Sequence, residues 1–223
     1  MPLILNIETS SAVCSVCLAR DGQLIDFRED PQGNSHARVL TVFIEDLLKK
    51  SNVALKDLDA IAVSAGPGSY TGLRIGTSTA KGLCYALDKP LIAVPTLLAM
   101  ADGIMKKMND TGAVYMPALD ARRMDIYTAV FDVNNKELIS TQAVTVNIDL
   151  AQHLECFNHV FVFGSGAEKC KAVFTSGAID FLPDINCDAR YMIPISEGKA
   201  IAGQFEDLAY FEPCYLKEFG AKT

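Results

Sequence analysis

The chain opens on an apolar run, "LILNIET", followed by the alternating segment "VCSVCLAR", the turn Asp21-Gly22 and "QLIDFRE". Alternation on both sides of an Asp-Gly pair predicts a β-hairpin preceded by a buried strand. After a polar loop containing Pro31 and Gly33 the period changes. Leu40, Phe43, Ile44, Leu47 and Leu48 recur at i, i+3, i+4, i+7 and i+8, which draws one apolar stripe along a helix in "HARVLTVFIEDLLKKS". "AIAVSA" predicts the next strand, and a helix runs from about Thr71 to Leu87. "PLIAV" and "TLLAMADGIMKKM" add a strand and a helix, with Thr96 as its N-cap.

The same order then recurs more faintly. "AVYMPALD", "IYTAVFDV" and "KELISTQAVTV" predict three strands, "DLAQHLECF" a helix, "HVFVFG" a strand and "GAEKCKAVFTS" a helix. Residues 178 to 196, with Pro183 and Pro194, have no clear period. "SEGKAIAGQFEDLA", capped by Ser196, predicts a closing helix before the tail "EPCYLKEFGAKT". A repeated order without a repeated sequence predicts two related α/β lobes. Residues 1–108 form the first and 109–196 a smaller second, and 197–223 return toward the first.

Composition narrows the function. Of 223 residues half are hydrophobic, mean hydropathy is +0.20, and the chain needs neither metal nor disulfide to build a core. No apolar stretch approaches the roughly 18 residues of a membrane span. "MPLILNIETSS" lacks a basic segment and is expected to be a strand rather than a signal peptide. Net charge is −7 and the basic residues are scattered, which argues against tight nucleic-acid binding by this chain alone. The seven cysteines are expected as reduced thiols of a cytoplasmic protein. Cys14 and Cys17 lie three apart on a strand and so point to opposite faces, which rules out a shared metal.

"SAGPGSYTGLRIG", residues 64 to 76, carries the densest candidate chemistry. It lacks the Gly-Lys-Ser/Thr of a P-loop and the third glycine of a dinucleotide fingerprint. Gly66 and Gly68 then serve either as a tight exit from the strand or, with Ser69 and Thr71 as caps, as an anion loop at a helix N-terminus. Along the helix, Gly72, Gly76 and Ala80 recur every four residues. Interior glycines cost about 1 kcal/mol each against alanine, so the row predicts close approach of another helix. That helix is either the chain's own, at 37 to 50, or a partner's. Val39 and Val42 lie off the core stripe and favour a partner, with Leu83 as a further contact.

The segments "ILNIETSSAVCSVCL", "SHARVLTVFIEDLL", "AGPGSYTGLRIGTSTAKGL", "ALDARRMDIYTAVF" and "EPCYLKE" together resemble the bacterial TsaB (YeaZ) family over nearly the whole chain. The resemblance implies a two-lobed actin-like, Hsp70-like, sugar-kinase-like (ribonuclease H-like) fold. It implies a non-catalytic subunit for N6-threonylcarbamoyladenosine modification of tRNA. Such a subunit heterodimerises with the catalytic paralogue TsaD through the helices at 37 to 50 and 71 to 87 and recruits the ATPase TsaE. tRNA is then reached only through the complex, ATP and metal belong to the partners, and a homodimer of the isolated chain stays open. Glycoprotease is a stale label of the wider family.

The residues agree with a chain that is not an enzyme by itself. The catalytic relative holds a metal with H-x-x-x-H; here His36 is followed at that spacing by Leu40, and His153 and His159 make a poor ligand pair. Glu8 stands where the family usually has Asp, with Ser10 and Ser11 in place of glycine, which leaves a vestigial nucleotide or cation site open. "GSGAEK" at 164 to 169 is either a helix entry or a vestigial phosphate loop. Asp120, Arg122 and Arg123 form the strongest polar cluster, either a turn held by Asp120 or a guanidinium pair for carboxylate or phosphate. The competing readings are a small-molecule kinase or ATPase of this fold and a glycoprotease-type metallopeptidase.

Overall fold

A computed structural model describes residues 2–30 and 36–217. The loop expected around Pro31 and Gly33 lies outside them. The described residues divide into two compact units, 2–30 and 36–99 with 187–215, and 100–186 with 216–217.

In the first unit, β1 (Leu3–Glu8), β2 (Cys14–Arg20) and β3 (Gln23–Asp30) precede α1 (His36–Lys50), β4 (Ala60–Ser64), α2 (Tyr70–Leu87) and β5 (Leu91–Val94). The sheet order is β3-β2-β1-β4-β5. β1 pairs antiparallel with β2 and parallel with β4, which pairs parallel with β5. A central strand covered on both faces needs apolar residues on both, and β1 is buried throughout. Leu5 and Ile7 pack with Leu40, Leu47 and Ala80 of α1 and α2, whereas Ile4 packs with Ile92 and Ile193 on the other side. Cys14 joins the first cluster and Cys17 the second, the opposite faces read from their spacing.

The second unit repeats the arrangement with β6 (Val114–Asp120), β7 (Asp125–Phe131), β8 (Glu137–Thr145), α4 (Ile148–Leu154), β9 (Val160–Phe163), α5 (Ala167–Lys171) and β10 (Ile179–Leu182). Its order, β10-β9-β6-β7-β8, is that of the first sheet, with β9 parallel to both β6 and β10. Two mixed sheets of one topology with flanking helices make the actin-like, sugar-kinase-like fold. Between the sheets in sequence runs α3 (Thr96–Met108), and α6 (Ile193–Ile201) follows β10.

Several local expectations are corrected. The unit boundary falls inside α3, before the expected 108/109, and the chain rejoins the first unit at Cys187 instead of 197. Ala99 packs with Ile92 and Val94, while Asp102 accepts a hydrogen bond from Asn135 Nδ2 at 3.0 Å. At the return, the Ala189 amide donates to Ser15 Oγ (3.0 Å). β10 occupies the stretch without a clear period, because a four-residue edge strand is too short to show one. α5 stops at Lys171, where Phe174 turns inward to 3% exposure. α6 starts earlier than expected, with Pro194 tolerated in its first turn. Ser196 is therefore interior rather than a cap, and its Oγ donates to the Ile193 carbonyl. Thr96 caps nothing; its buried Oγ1 has no hydrogen-bond partner among the described residues.

Candidate functional site

The β4–α2 junction is built against the turn between β1 and β2. Ser69 caps α2, its Oγ accepting from the Gly72 amide at 3.2 Å, while Thr71 is exposed in the first turn. The Ser69 amide donates to the Ser10 carbonyl at 2.6 Å. Gly66 has φ +91°, and a Cβ there would lie 2.7 Å from the Cys214 carbonyl oxygen, so both backbone and space demand glycine. A Cβ at Gly68 would strike the Ser10 carbonyl, one at Gly72 the Thr9 carbonyl and one at Gly76 the Thr9 hydroxyl. These glycines let α2 lie directly on the turn.

That corrects the interface read from the glycine row. Gly72, Gly76 and Ala80 are buried against their own unit, on the face that also carries Leu73 and Cys84. Of the other candidates, Val39 and Leu83 are half-buried against the core and Val42 is 57% exposed. The outward face of α2 carries a second small row, Ser78, Gly82 and Ala86, all exposed; a Cβ on Gly82 would meet nothing. Leu73 and Cys84 were the signal that could have separated the rows, since they mark the core side. Between α1 and α2 lies a largely apolar recess of about 300 Å³ lined by Ile44, Leu48, Val53, Leu55 and Leu83. A second recess, lined by Ala37, Arg74, Ile75 and Ser78 among others, lies along the same helix pair.

Three amides of the turn find partners, whereas the buried Thr9 Oγ1 and Ser10 Oγ have none among the described residues. The Thr9 amide donates to Ser64 Oγ (3.2 Å), the Ser10 amide to Glu8 Oε1 (2.6 Å) and the Val13 amide to Ser11 Oγ (3.3 Å). Glu8 is 1% exposed, and burial pushes its carboxyl above the usual range against the opposing hydrogen bonds. These three amides thus face their own chain's oxygens, with a carboxyl at the base. His36 Nε2–H donates to the Ser11 carbonyl at 2.9 Å. Leu40, where a second histidine ligand would stand, is 1% exposed in the core.

In the second unit the β6–β7 turn holds Asp120, Arg122 and Arg123. Asp120 Oδ1 accepts from the Arg122 amide at 2.7 Å, and the Asp120 amide donates to Ser165 Oγ. Lys169 Nζ lies 3.0 Å from Asp120 Oδ1. Lys217 Nζ lies 2.5 Å from Asp125 Oδ2, holding that carboxyl below the usual range, and also donates to the Ala121 carbonyl. Arg122 and Arg123 are exposed with φ +70° and +46°. "GSGAEK" is a packed helix entry: the Gly166 amide donates to the Ala118 carbonyl, and a Cβ there would lie 2.8 Å from Ile126. His153 Nδ1–H donates to Asp149 O, and His159 lies between Asp110 and Asp180, 2.9 Å from each. No group of three or more His, Cys, Asp or Glu suited to a metal occurs among the described residues.

The family model described as TsaD, tRNA N6-adenosine threonylcarbamoyltransferase, matches residues 31–211. The chain belongs to this family. Within the TsaD family it is similar to the tRNA threonylcarbamoyladenosine biosynthesis protein TsaB of Escherichia coli (strain K12), 37% identical over 129 residues. That match covers 57% of this chain and 54% of the relative, so the chain spans about half the relative's length. The TsaB of Buchnera aphidicola subsp. Baizongia pistaciae is 26% identical over 223 residues, covering 96% of this chain and 98% of the relative. Among solved structures, YeaZ from Pseudomonas aeruginosa superposes with a TM-score of 0.79 at 25% identity, covering 97% of this chain and all of that one. The resemblance to TsaB (YeaZ) proteins read from the sequence therefore holds within the TsaD family. Among the described residues no helix is long and apolar enough to cross a membrane.

Proposed function

We propose that this chain acts in tRNA threonylcarbamoyladenosine biosynthesis as a non-catalytic subunit. In this reading it pairs with the catalytic paralogue TsaD and engages the ATPase TsaE in the cytoplasm. ATP and metal belong to those partners, and tRNA is reached through the assembly. The observation that carries the proposal is the outward side of α1 and α2. There the apolar recess, exposed Val42 and the row Ser78, Gly82 and Ala86 leave room for a second helix pair. Helices of two chains approach closely where small residues line the contact, and buried apolar area then drives association. The glycines that the sequence offered as a nucleotide loop support the same reading, because they hold α2 down on a turn where the Thr9 and Ser10 amides are already taken.

The test is reconstitution with the TsaD and TsaE proteins of the same organism. The chain should co-purify with the catalytic subunit and raise tRNA modification, while showing no kinase or peptidase turnover alone. Modification that proceeds equally well without the chain would overturn the proposal.

A further inference from the structure

The two recesses between α1 and α2 share a wall. Thr41 and Thr79 line both, so they form one groove along the helix pair with two chemistries. Toward the ends of the helices the walls are apolar, with Ile44, Leu48, Val53 and Leu83. Toward their starts the groove holds Ala37, Ile75, Ser78 and the guanidinium of Arg74.

Arg74 is exposed, yet its direction is set. Its guanidinium carbon lies 4.8 Å from the centroid of the Tyr70 ring, and the Tyr215 ring lies 4.9 Å from that of Tyr70. Burial raises the Tyr215 phenol, and the Arg74 guanidinium beside it opposes that shift. Elsewhere in the unit, Arg28 is matched by Asp26 and Asp46, Lys49 by Glu45, and Arg190 by Asp188. Arg74 forms no ion pair among the described residues; Glu212 acts on the Tyr215 phenol but makes none with it. A guanidinium stacked on an aromatic face keeps its edge open to a planar acceptor taken bidentately. One positive charge beside the hydroxyls of Thr41, Ser78 and Thr79 suits one negative charge, as a carboxylate brings. In a chain of net charge −7, such a spot is where an acidic side chain meets attraction instead of repulsion.

The apolar end must be filled by the same occupant. Arg74 and Leu83 stand about 13 Å apart along α2, roughly two and a half helical turns. A helix laid in the groove spans that distance with two side chains on one face. We infer that the groove between α1 and α2 takes a helix of the catalytic paralogue, whose acidic side chain pairs with Arg74 and whose large apolar side chain fills the recess at Leu83. The inference rests on the function proposed above and adds the polarity of the contact, with charge at the start of the helix pair and apolar burial at its end.

The experiment titrates the full chain with the purified catalytic paralogue at low and high sodium chloride. Wild type is compared with Arg74→Gln, Arg74→Lys and Arg74→Glu, which should melt near wild type, as an exposed helical site allows. The glutamine variant should bind about tenfold more weakly and the glutamate variant about a hundredfold, and the excess loss of the second should shrink in high salt. Lysine should keep part of the affinity, since it carries the charge without the fork. If Arg74→Glu melts lower, lysine against glutamine decides alone. Among acid-to-arginine replacements along the paralogue's helices, one should restore binding to Arg74→Glu; finding none would sink the inference. Equal binding by wild type and the glutamine and glutamate variants would overturn it and leave the proposed function standing. Wild-type pairing that depends on added inorganic phosphate would assign the site to a bridging anion instead. A wild-type chain that does not bind the paralogue at all would overturn both.

Discussion

The β1–β2 turn and the β6–β7 turn stand at the same place in two sheets of the same strand order, and both are held in the same way. An acid ending the first strand accepts from the amide two residues on: Ser10 to Glu8 at 2.6 Å, Arg122 to Asp120 at 2.7 Å. Their surroundings differ. In the first unit an 18-residue α2 lies over the turn through its glycines, and Glu8 is 1% exposed. In the second, α5 has five residues and the Asp120 side chain is 48% exposed. One topology thus yields a sealed turn beneath a long helix with a spare outer face, and an open turn that presents charge. The length and small residues of the helix after the fourth strand decide which.

The sharpest way to break this contrast is to lift α2. Gly76→Leu drives a side chain into Thr9 and should destabilise the chain by about 3 kcal/mol, seen as a large fall in Tm by circular dichroism. Gly82→Leu, six residues on and facing solvent, should raise stability by up to about 1 kcal/mol, since an exposed helical glycine is replaced. In a pull-down it should nevertheless weaken binding to the catalytic paralogue about tenfold, or roughly 1.4 kcal/mol. If Gly76→Leu folds normally and Gly82→Leu binds normally, the two faces of α2 have been assigned in reverse.

How far the sequence could be read follows from the same helix. The duplicated order, the hairpin at Asp21-Gly22 and the split of Cys14 and Cys17 were all legible, because period and turn chemistry are local properties. The face of a small-residue row is not local. Gly72, Gly76 and Ala80 recur at the same four-residue interval as Ser78, Gly82 and Ala86, and only their placement beside Leu73 and Cys84 tells which row meets the core. β10 escaped because four residues before Pro183 show no alternation. Glu8 was visible as a departure from Asp, but its burial depends on α2, which meets it only in three dimensions. At Asp120 the turn was foreseen, whereas the left-handed backbone of Arg122 and Arg123 was not, since those residue types argue against it.

A smaller effect separates the two acids. Burial raises the Glu8 carboxyl above its ordinary value of 4.5. The stability it contributes is therefore complete below that value and is lost as pH rises through the higher folded pKa. Glu8→Gln keeps an oxygen for the Ser10 amide and removes the cost of ionisation. Its Tm should exceed that of wild type at pH 8 and approach it at pH 4.5. Asp120→Asn, on the exposed turn, should change stability by less than about 1 kcal/mol. A Glu8→Gln gain that does not depend on pH would mean that the carboxyl is not ionising in its buried site.

The smallest effect comes from the second unit, at His159. Its Nδ1 and Nε2 each lie 2.9 Å from a carboxylate oxygen, of Asp110 and Asp180. Both nitrogens must donate, which favours the imidazolium, and the Asp180 contact followed by that of Asp110 raises the pKa above its ordinary 6.5. Its stabilisation is thus full below pH 6.5 and fades as pH rises through the higher folded pKa. Because Asp180 is 65% exposed, solvent screens much of it. His159→Gln should lower Tm by about 2–4 °C at pH 5.5 and leave it near wild type at pH 9. Glu8 and His159 give pH profiles of the same sign for opposite reasons, the one a buried acid whose anion is disfavoured, the other a half-buried base whose cation is favoured. Salt tells them apart. Added sodium chloride should shrink the His159 effect, since it acts through exposed charges, and leave the Glu8 effect in place, since burial is not screened. A His159→Gln loss equal at both pH values would instead assign the residue to packing on Phe161, whose ring centroid lies 4.3 Å away.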